Sequence, residues 1–444
     1  MARLDDHPTV RALRERAPQS RPDDPLDAAW LRQVCLDAGA DDVGFVEVGR
    51  PALAEERPYI SALFPETRTL ISIVCRMNRE PVRRVQRSVA NAEFHQAGDE
   101  VNDVARRIVR TLEGLGVRAV NPPMAFPMEA DRWPGRTWVV SHKPVAVAAG
   151  LGMMGIHRNV IHPKFGNFIL LGTVLLEAAV TEHAEPTAYN PCLECKLCVA
   201  ACPVGAIKPD GQFDLASCYT HNYREFMGGF GDWAEHVADA SDGHDLRARV
   251  TPAEQVSMWQ SLAFGPNYKS GNCIAVCPAG EDVIGAYLAD RRGFLDEVVK
   301  PLQQNTEPVY VVPRSDAEGY VARRFPHKRI RQVRGTLLPS TIEGFLFGIG
   351  VTFQRDQSAG LDAVFHFTFT GADSSRATVT IRAQALDVQA GHVGVADCAV
   401  TADAATWLGF LRKERSIVWA ILRRKVRVRG KLSLLTAFGR CFPT

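Results

Sequence analysis

The stretch Cys192-Leu193-Glu194-Cys195-Lys196-Leu197-Cys198-Val199-Ala200-Ala201-Cys202-Pro203 decides the reading of this chain. Its spacing, C-x2-C-x2-C-x3-C-P, brings three thiolates onto one face of an iron–sulfur cubane and turns the fourth cysteine toward a second cluster. The run therefore predicts partner cysteines downstream. Cys218 follows, and then Cys273 and Cys277 read C-x3-C-P with Pro278. On this logic Cys192, Cys195, Cys198 and Cys277 hold one 4Fe-4S cluster, and Cys202, Cys218 and Cys273 hold the other. The second set lacks a thiolate, because the position three residues before Cys273 is Ser270. That gap leaves three outcomes: a serine- or water-ligated four-iron cluster, a three-iron cluster, or one cluster in total.

Competing cysteine chemistries fit poorly. A zinc ribbon needs two C-x2-C pairs, which the x3-C-P endings do not supply. A disulfide framework belongs to small secreted domains, whereas this chain has 444 residues. Cys35, Cys75, Cys398 and Cys441 lie in apolar surroundings and read as small core residues. Hydrophobic content of 46% and charged content of 23% are ordinary for a globular protein, and a net charge of +2 gives no general case for nucleic acid. Met1 to Pro25 has no signal-peptide core, and no stretch reaches the length of a membrane span, so a cytoplasmic location is expected.

Along the chain, residues 1–25 read as a flexible tail. Residues 26–185 alternate helix and strand. A helix starting near Leu26 ends at Gly39; Val43–Val48 and Leu70–Cys75 read as buried strands; Arg84–Leu115 reads as a long amphipathic helix before a strand Arg118–Val120; and Phe168–Leu176 reads as another strand. Residues 186–298 carry the cysteines. Residues 299–335, broken by prolines and rich in arginine, read as a basic linker. Gly150, Gly152 and Gly155 spell G-x-G-x-x-G, but they follow a helix-like alanine run, so a dinucleotide site is not expected. The small residues instead suggest close backbone approach to something flat and bulky. Asp242-Gly243-His244 begins a cobalt-ligating D-x-H-x-x-G pattern that Arg247 breaks.

Ser141-His142-Lys143-Pro144, Ala148-Ala149-Gly150-Leu151-Gly152, Met154-Gly155, Asn159-Val160-Ile161 and Leu171-Gly172-Thr173, upstream of the cysteine run, resemble reductive dehalogenases and epoxyqueuosine reductases. The resemblance covers roughly residues 30 to 290 and implies a nitroreductase-like domain carrying a cobalamin beside a dicluster ferredoxin-type domain. It also implies Gly150, Gly152, Gly155 and Asn159 as cofactor-binding positions, and a ferredoxin or flavodoxin as electron donor. Two departures matter. Where epoxyqueuosine reductases place an aspartate acid, this chain aligns Arg136, and their C-terminal repeats are absent, which argues against a transfer-RNA substrate. The candidates for proton delivery are His142, Lys143, Tyr219 and Tyr223, against the plainer reading of capping or packing residues. Glu129, Asp131 and Arg132 form a polar loop set that is either functional or a surface ion group.

Residues 336–444 form a third region. Asp362–Thr370, Ala377–Ile381, Ala385–Val388 and Ala396–Thr401 alternate as strands, and Ala404–Leu411 and Ile417–Arg423 read as helices. Val400-Thr401-Ala402-Asp403, Thr406-Trp407-Leu408 and Val426-Arg427-Val428-Arg429-Gly430-Lys431 resemble sterol carrier protein type 2 domains, which implies a lipid-carrier-like fold enclosing an apolar cavity. The expected whole is an α+β multi-domain iron–sulfur oxidoreductase acting on a hydrophobic small molecule, with no nucleic acid partner. The alternative is an electron-transfer or lipid-binding protein without chemistry of its own.

Overall fold

The computed structural model describes residues 4–15, 25–129 and 138–443, and over them the protein is an α+β multidomain chain. Strands β1 (Asp42–Glu47), β2 (Thr69–Arg76) and β3 (Ala119–Val120) precede a small hairpin of β4 (Met153–Met154) and β5 (Val160–Ile161). With β6 (Ile169–Leu176), the first three make an antiparallel sheet in the order β1-β2-β6-β3. The central pair is apolar on both faces because both faces are covered. On one side lie helices Ala28–Asp37 and Arg87–Gly114, the latter presenting Val101, Val104, Ala105, Ile108 and Leu112 at helical spacing. On the other, Val145 and Ala148 of helix His142–Ala148 pack on Leu70 and Leu175. Each fully buried aliphatic side chain there contributes about 1.5–3 kcal/mol. The long helix begins at Arg87 rather than Arg84, after a separate turn of helix at Arg79–Val82.

The segment expected as a linker, 299–335, is folded. β7 (Val309–Val311) and β8 (Ile330–Gln332) pair in parallel with helix Asp316–Arg324 between them. Val309, Val311, Val321 and Phe325 are buried in the same core as Cys198, Cys202, Val204 and Val276. Two of its charges are taken up by the fold, Arg331 pairing with Glu254 at 3.3 Å and Lys328 donating to the Asn305 carbonyl, while Arg323, Arg324, Arg329 and Arg334 stay exposed.

The C-terminal sheet runs β11 (Ala385–Ala390), β10 (Ser375–Arg382), β9 (Ala363–Thr370), β12 (Cys398–Asp403), β13 (Val426–Gly430), with only β9 and β12 parallel among the described pairs. Alternation along β9 sends Phe365, Phe367 and Phe369 inward. There they meet Phe345, Trp407 and Phe438 of the covering helices, with ring centroids 4.9 Å apart for Phe365–Phe438 and 5.7 Å for Phe345–Trp407. Rings from both layers thus pack against one another between the sheet and its helices. The region is fastened to the cysteine-bearing part by Gln354, whose side chain donates to Asp214 (3.5 Å) and accepts from the Asp316 N–H (2.8 Å), and by the Arg355–Asp210 ion pair.

Candidate redox site

The cysteine run opens with a loop whose Glu194 and Lys196 adopt positive φ (50° and 62°), a conformation that side chains adopt only under constraint. The double reversal brings Cys192 and Cys195 to the same cavity as Cys198, which sits in the first turn of helix Leu197–Ala201. Cys277 supplies the fourth side, and the four line a cavity of about 20 Å³ with Ile156, His157 and Ile161. Backbone N–H groups of Leu197 and Ala279 point at the sulfurs of Cys195 and Cys277. Burial pushes the Cys277 thiol up to about 12 and that of Cys198 further, with neighbouring sulfurs adding to the effect. Such a pocket stabilises thiolates only when positive metal lies among them.

Cys202, Cys218 and Cys273 line a different and larger space. Cys202 leaves its helix in an extended conformation, and the Ala206 N–H donates to its sulfur at 3.3 Å, joined by those of Val204, Gly205 and Ile207. Cys218 rides on helix Leu215–Asn222, which starts where the Asp214 carboxylate accepts from the Ser217 N–H. Cys273 sits in the single turn Asn272–Ala275, tied to the first cysteine segment by the Asn272 amide donating to the Ala201 carbonyl at 3.0 Å. Ser270 lines the same space. Its loop is held at successive residues: Asn91 brackets the Tyr268 backbone, Glu225 pairs with Lys269, and Asn222 accepts from the Ser270 N–H at 2.9 Å.

Among the described residues, no three His, Cys, Asp or Glu side chains converge on a single metal ion. The cysteines surround cavities instead, which is the arrangement a cubane needs, since each thiolate takes its own iron. Convergent sulfurs, N–H groups aimed at them and dry walls all fit a cluster in the first cavity. The second set offers three thiols and Ser270 to the same chemistry.

The second space extends well beyond any cluster. It is a chamber of about 590 Å³, within the roughly 300–1,000 Å³ of ordinary small-molecule pockets. Phe94, Leu170, Phe213 and Tyr268 give apolar walls, and Lys143, Asn159 and Tyr223 give polar ones. Lys143 donates to the Arg158 carbonyl and to the Asn159 side chain, both at 2.8 Å, and burial lowers its pKa against the pull of the Cys273 and Cys218 sulfurs. Burial raises that of Tyr223.

The remaining sequence candidates lie elsewhere. His142 is buried under the sheet with Nδ1 2.9 Å from the Thr173 hydroxyl, and burial lowers its pKa to about 4. It is not part of the chamber wall. Tyr219 stacks on Tyr223 at 5.7 Å from outside the wall. The glycines admit protein rather than a flat ligand. Gly150 and Gly152 have φ of 73° and 146°, and a Cβ on either would strike the carbonyl oxygen of Glu185 or Ile161 at 2.4 and 2.2 Å. Gly155 leaves room for the ring of His157. Asp131, Arg132 and Arg136 fall outside the described residues; Glu129 is exposed and does not line the chamber.

His157 is the residue that sequence reasoning missed. It lines both cavities, and its Nδ1 accepts from the Asn159 N–H at 3.2 Å while Nε2 lies 3.2 Å from the Asn167 amide. Burial lowers its pKa to about 4, so the wall between the two cysteine sets is uncharged at neutral pH. Its position two residues after Gly155 and two before Asn159 was its only signal.

A third cavity, of about 90 Å³, occupies the seam between the cysteine-bearing part and the C-terminal region. Ala216, Ser217 and Thr220 of the Cys218 helix face Phe345, Gly348 and Ile349 of helix Ile342–Thr352 across it, and none of its lining residues is charged.

Comparison with known proteins finds similarities of two kinds. Residues 353–443 match the SCP-2 sterol transfer family. The chain is 25% identical over 236 residues to an epoxyqueuosine reductase of Listeria monocytogenes, an alignment covering 49% of this chain and 59% of that protein. It therefore spans less than two thirds of that relative's length. Among solved structures, epoxyqueuosine reductase from Streptococcus thermophilus aligns with a TM-score of 0.31 at 17% identity, over 42% of this chain and 54% of its own. A catabolic reductive dehalogenase aligns with a TM-score of 0.38 at 15% identity, over 70% and 39%.

Proposed function

We propose that this chain, similar to epoxyqueuosine reductases over its N-terminal part and to sterol carriers over its C-terminal part, is an iron–sulfur reductase of a hydrophobic small molecule. Its electrons come from an external donor such as a ferredoxin or flavodoxin. The observation that carries this reading is the division of seven cysteines between two adjoining cavities, one small and one a larger chamber. Cys192, Cys195, Cys198 and Cys277 would hold the first cluster, and Cys202, Cys218 and Cys273, with Ser270 or water, the second. The mixed aromatic and polar walls of the chamber support a corrinoid beside the second set. A corrinoid, when bound, supplies a strongly reducing cobalt.

The chain's own contribution is position, dryness and protons. Lys143 and Tyr223 are the proton-bearing side chains that both reach the chamber and belong to the candidates read from the sequence, and Asn159 fixes the Lys143 ammonium. His142, bonded to Thr173 beneath the sheet, is a packing residue in this scheme. The uncharged seam cavity supports binding of an apolar molecule one helix away from Cys218. The test is anaerobic reconstitution of the full chain. Iron and sulfide counts with electron paramagnetic resonance of the reduced protein read the clusters, and the absorption of protein from cobalamin-fed cells reads the corrinoid. Cluster bands without any bound corrinoid or flavin would leave an electron carrier and remove the reductase.

A further inference from the structure

The C-terminal region carries a surface that neither the redox site nor the seam uses. Residues 411–444 contain ten Lys or Arg side chains against one acid, Glu414, in a chain whose net charge is only +2. The structure gathers them around helix Ile417–Leu422 and edge strand β13. Alternation along β13 turns Val426 and Val428 inward and leaves Arg427 and Arg429 exposed, and Lys431 continues that row. Among the described residues, Arg423, Arg424, Arg427, Arg429 and Lys431 have no acid within ion-pair distance, although all are exposed.

The helix these charges flank buries only Ala420. Val418, Trp419 and Leu422 are 62%, 62% and 66% exposed. An apolar face with a tryptophan at its centre, ringed by unpaired arginines, is poorly suited to water and well suited to a bilayer interface. A polyanion such as RNA would satisfy the charges but not the aliphatic side chains. No helix among the described residues is long and apolar enough to cross a membrane, so the contact is with a surface. The basic segment also begins at the rim of the seam cavity: Leu411 and Pro339 line that cavity, and Arg412 donates to the Pro339 carbonyl.

We infer that helix Ile417–Leu422 and the exposed basic residues of the following turn and β13 form a docking face for an anionic lipid bilayer, with Val418, Trp419 and Leu422 entering the interface. The experiment is co-sedimentation of the cluster-loaded full chain with vesicles of phosphatidylcholine alone or mixed with phosphatidylglycerol, together with tryptophan quenching by brominated lipid. Preferential binding to the anionic vesicles that is lost in molar salt, with quenching, is expected. Arg427→Glu/Arg429→Glu weakens it by roughly tenfold or more. Trp419→Ser/Leu422→Ser weakens it several-fold and removes the quenching change, while circular dichroism and cluster absorbance stay those of the parent. Equal affinity for neutral and anionic vesicles, or no binding at low salt, overturns the inference for the unaltered protein. So does full vesicle binding by the Trp419/Leu422 variant with competition by single-stranded RNA, which would make the face a polyanion site.

Discussion

The two cysteine sets share one ligand grammar and differ in their surroundings. The first has four thiols around a small cavity whose other walls are mostly apolar. The second has three thiols and Ser270 at the edge of a much larger chamber. In the proposed scheme the complete set passes electrons on, and the incomplete set beside the larger cavity delivers them. His157 separates the two and stays neutral, so its ring adds no charge between them at neutral pH.

The sharpest way to break this comparison is Cys198→Ala. It should abolish the first cluster, lowering iron by about four per chain and destabilising the core that Cys198 shares with Val204 and Val276. Cys218→Ala should instead remove only the second cluster, leaving one paramagnetic species after reduction. Equal losses from both variants would mean that the sets are one site. Ser270→Cys should complete the second set and convert its resonance to that of an ordinary four-iron centre, whereas an unchanged spectrum would show that the serine position is not a ligand position.

Smaller effects test how the second site is braced. Burial raises the pKa of Glu225, but Lys269 and Arg87 more than offset this and hold it below the usual glutamate range. Its charge therefore adds stability that is present above the ordinary glutamate pKa and lost as pH falls through the lowered one. Glu225→Gln strands the buried Lys269 and leaves Arg87 with Glu307 alone, and should cost about 3 kcal/mol in a denaturation measurement at neutral pH, with a flatter acid limb than the parent. Asp214→Ala removes the cap of the Cys218 helix and a Gln354 contact, an expected loss of about 1 kcal/mol in the same measurement.

Much of the fold was legible. Strands β2, β6 and β9 and helix Ala404–Leu411 follow directly from apolar runs or period-two alternation. The segment 299–335 was not, because its few core residues are scattered among prolines and arginines whose partners, such as Glu254, lie far away in sequence. The glycines of Gly150–Gly155 were legible as sites of close approach, but the approaching groups, the carbonyls of Glu185 and Ile161 and the ring of His157, were not. His142 and Lys143 are neighbours in sequence, yet helical geometry sends one under the sheet to Thr173 and the other to Asn159 in the chamber wall.

The sequence by itself determined the cysteine grammar, the vacancy at Ser270 and the aromatic alternation of the C-terminal sheet, because each is set by local spacing. Tertiary structure alone decided what the cysteines face. The chamber is walled by Phe94, Lys143, Tyr223 and Tyr268, from four separated segments, and the seam cavity exists only because Gln354 and Arg355 fasten one region onto another. Local patterns carry the chemistry of a residue, but a cavity is the space left between packed elements, and that depends on how distant surfaces meet.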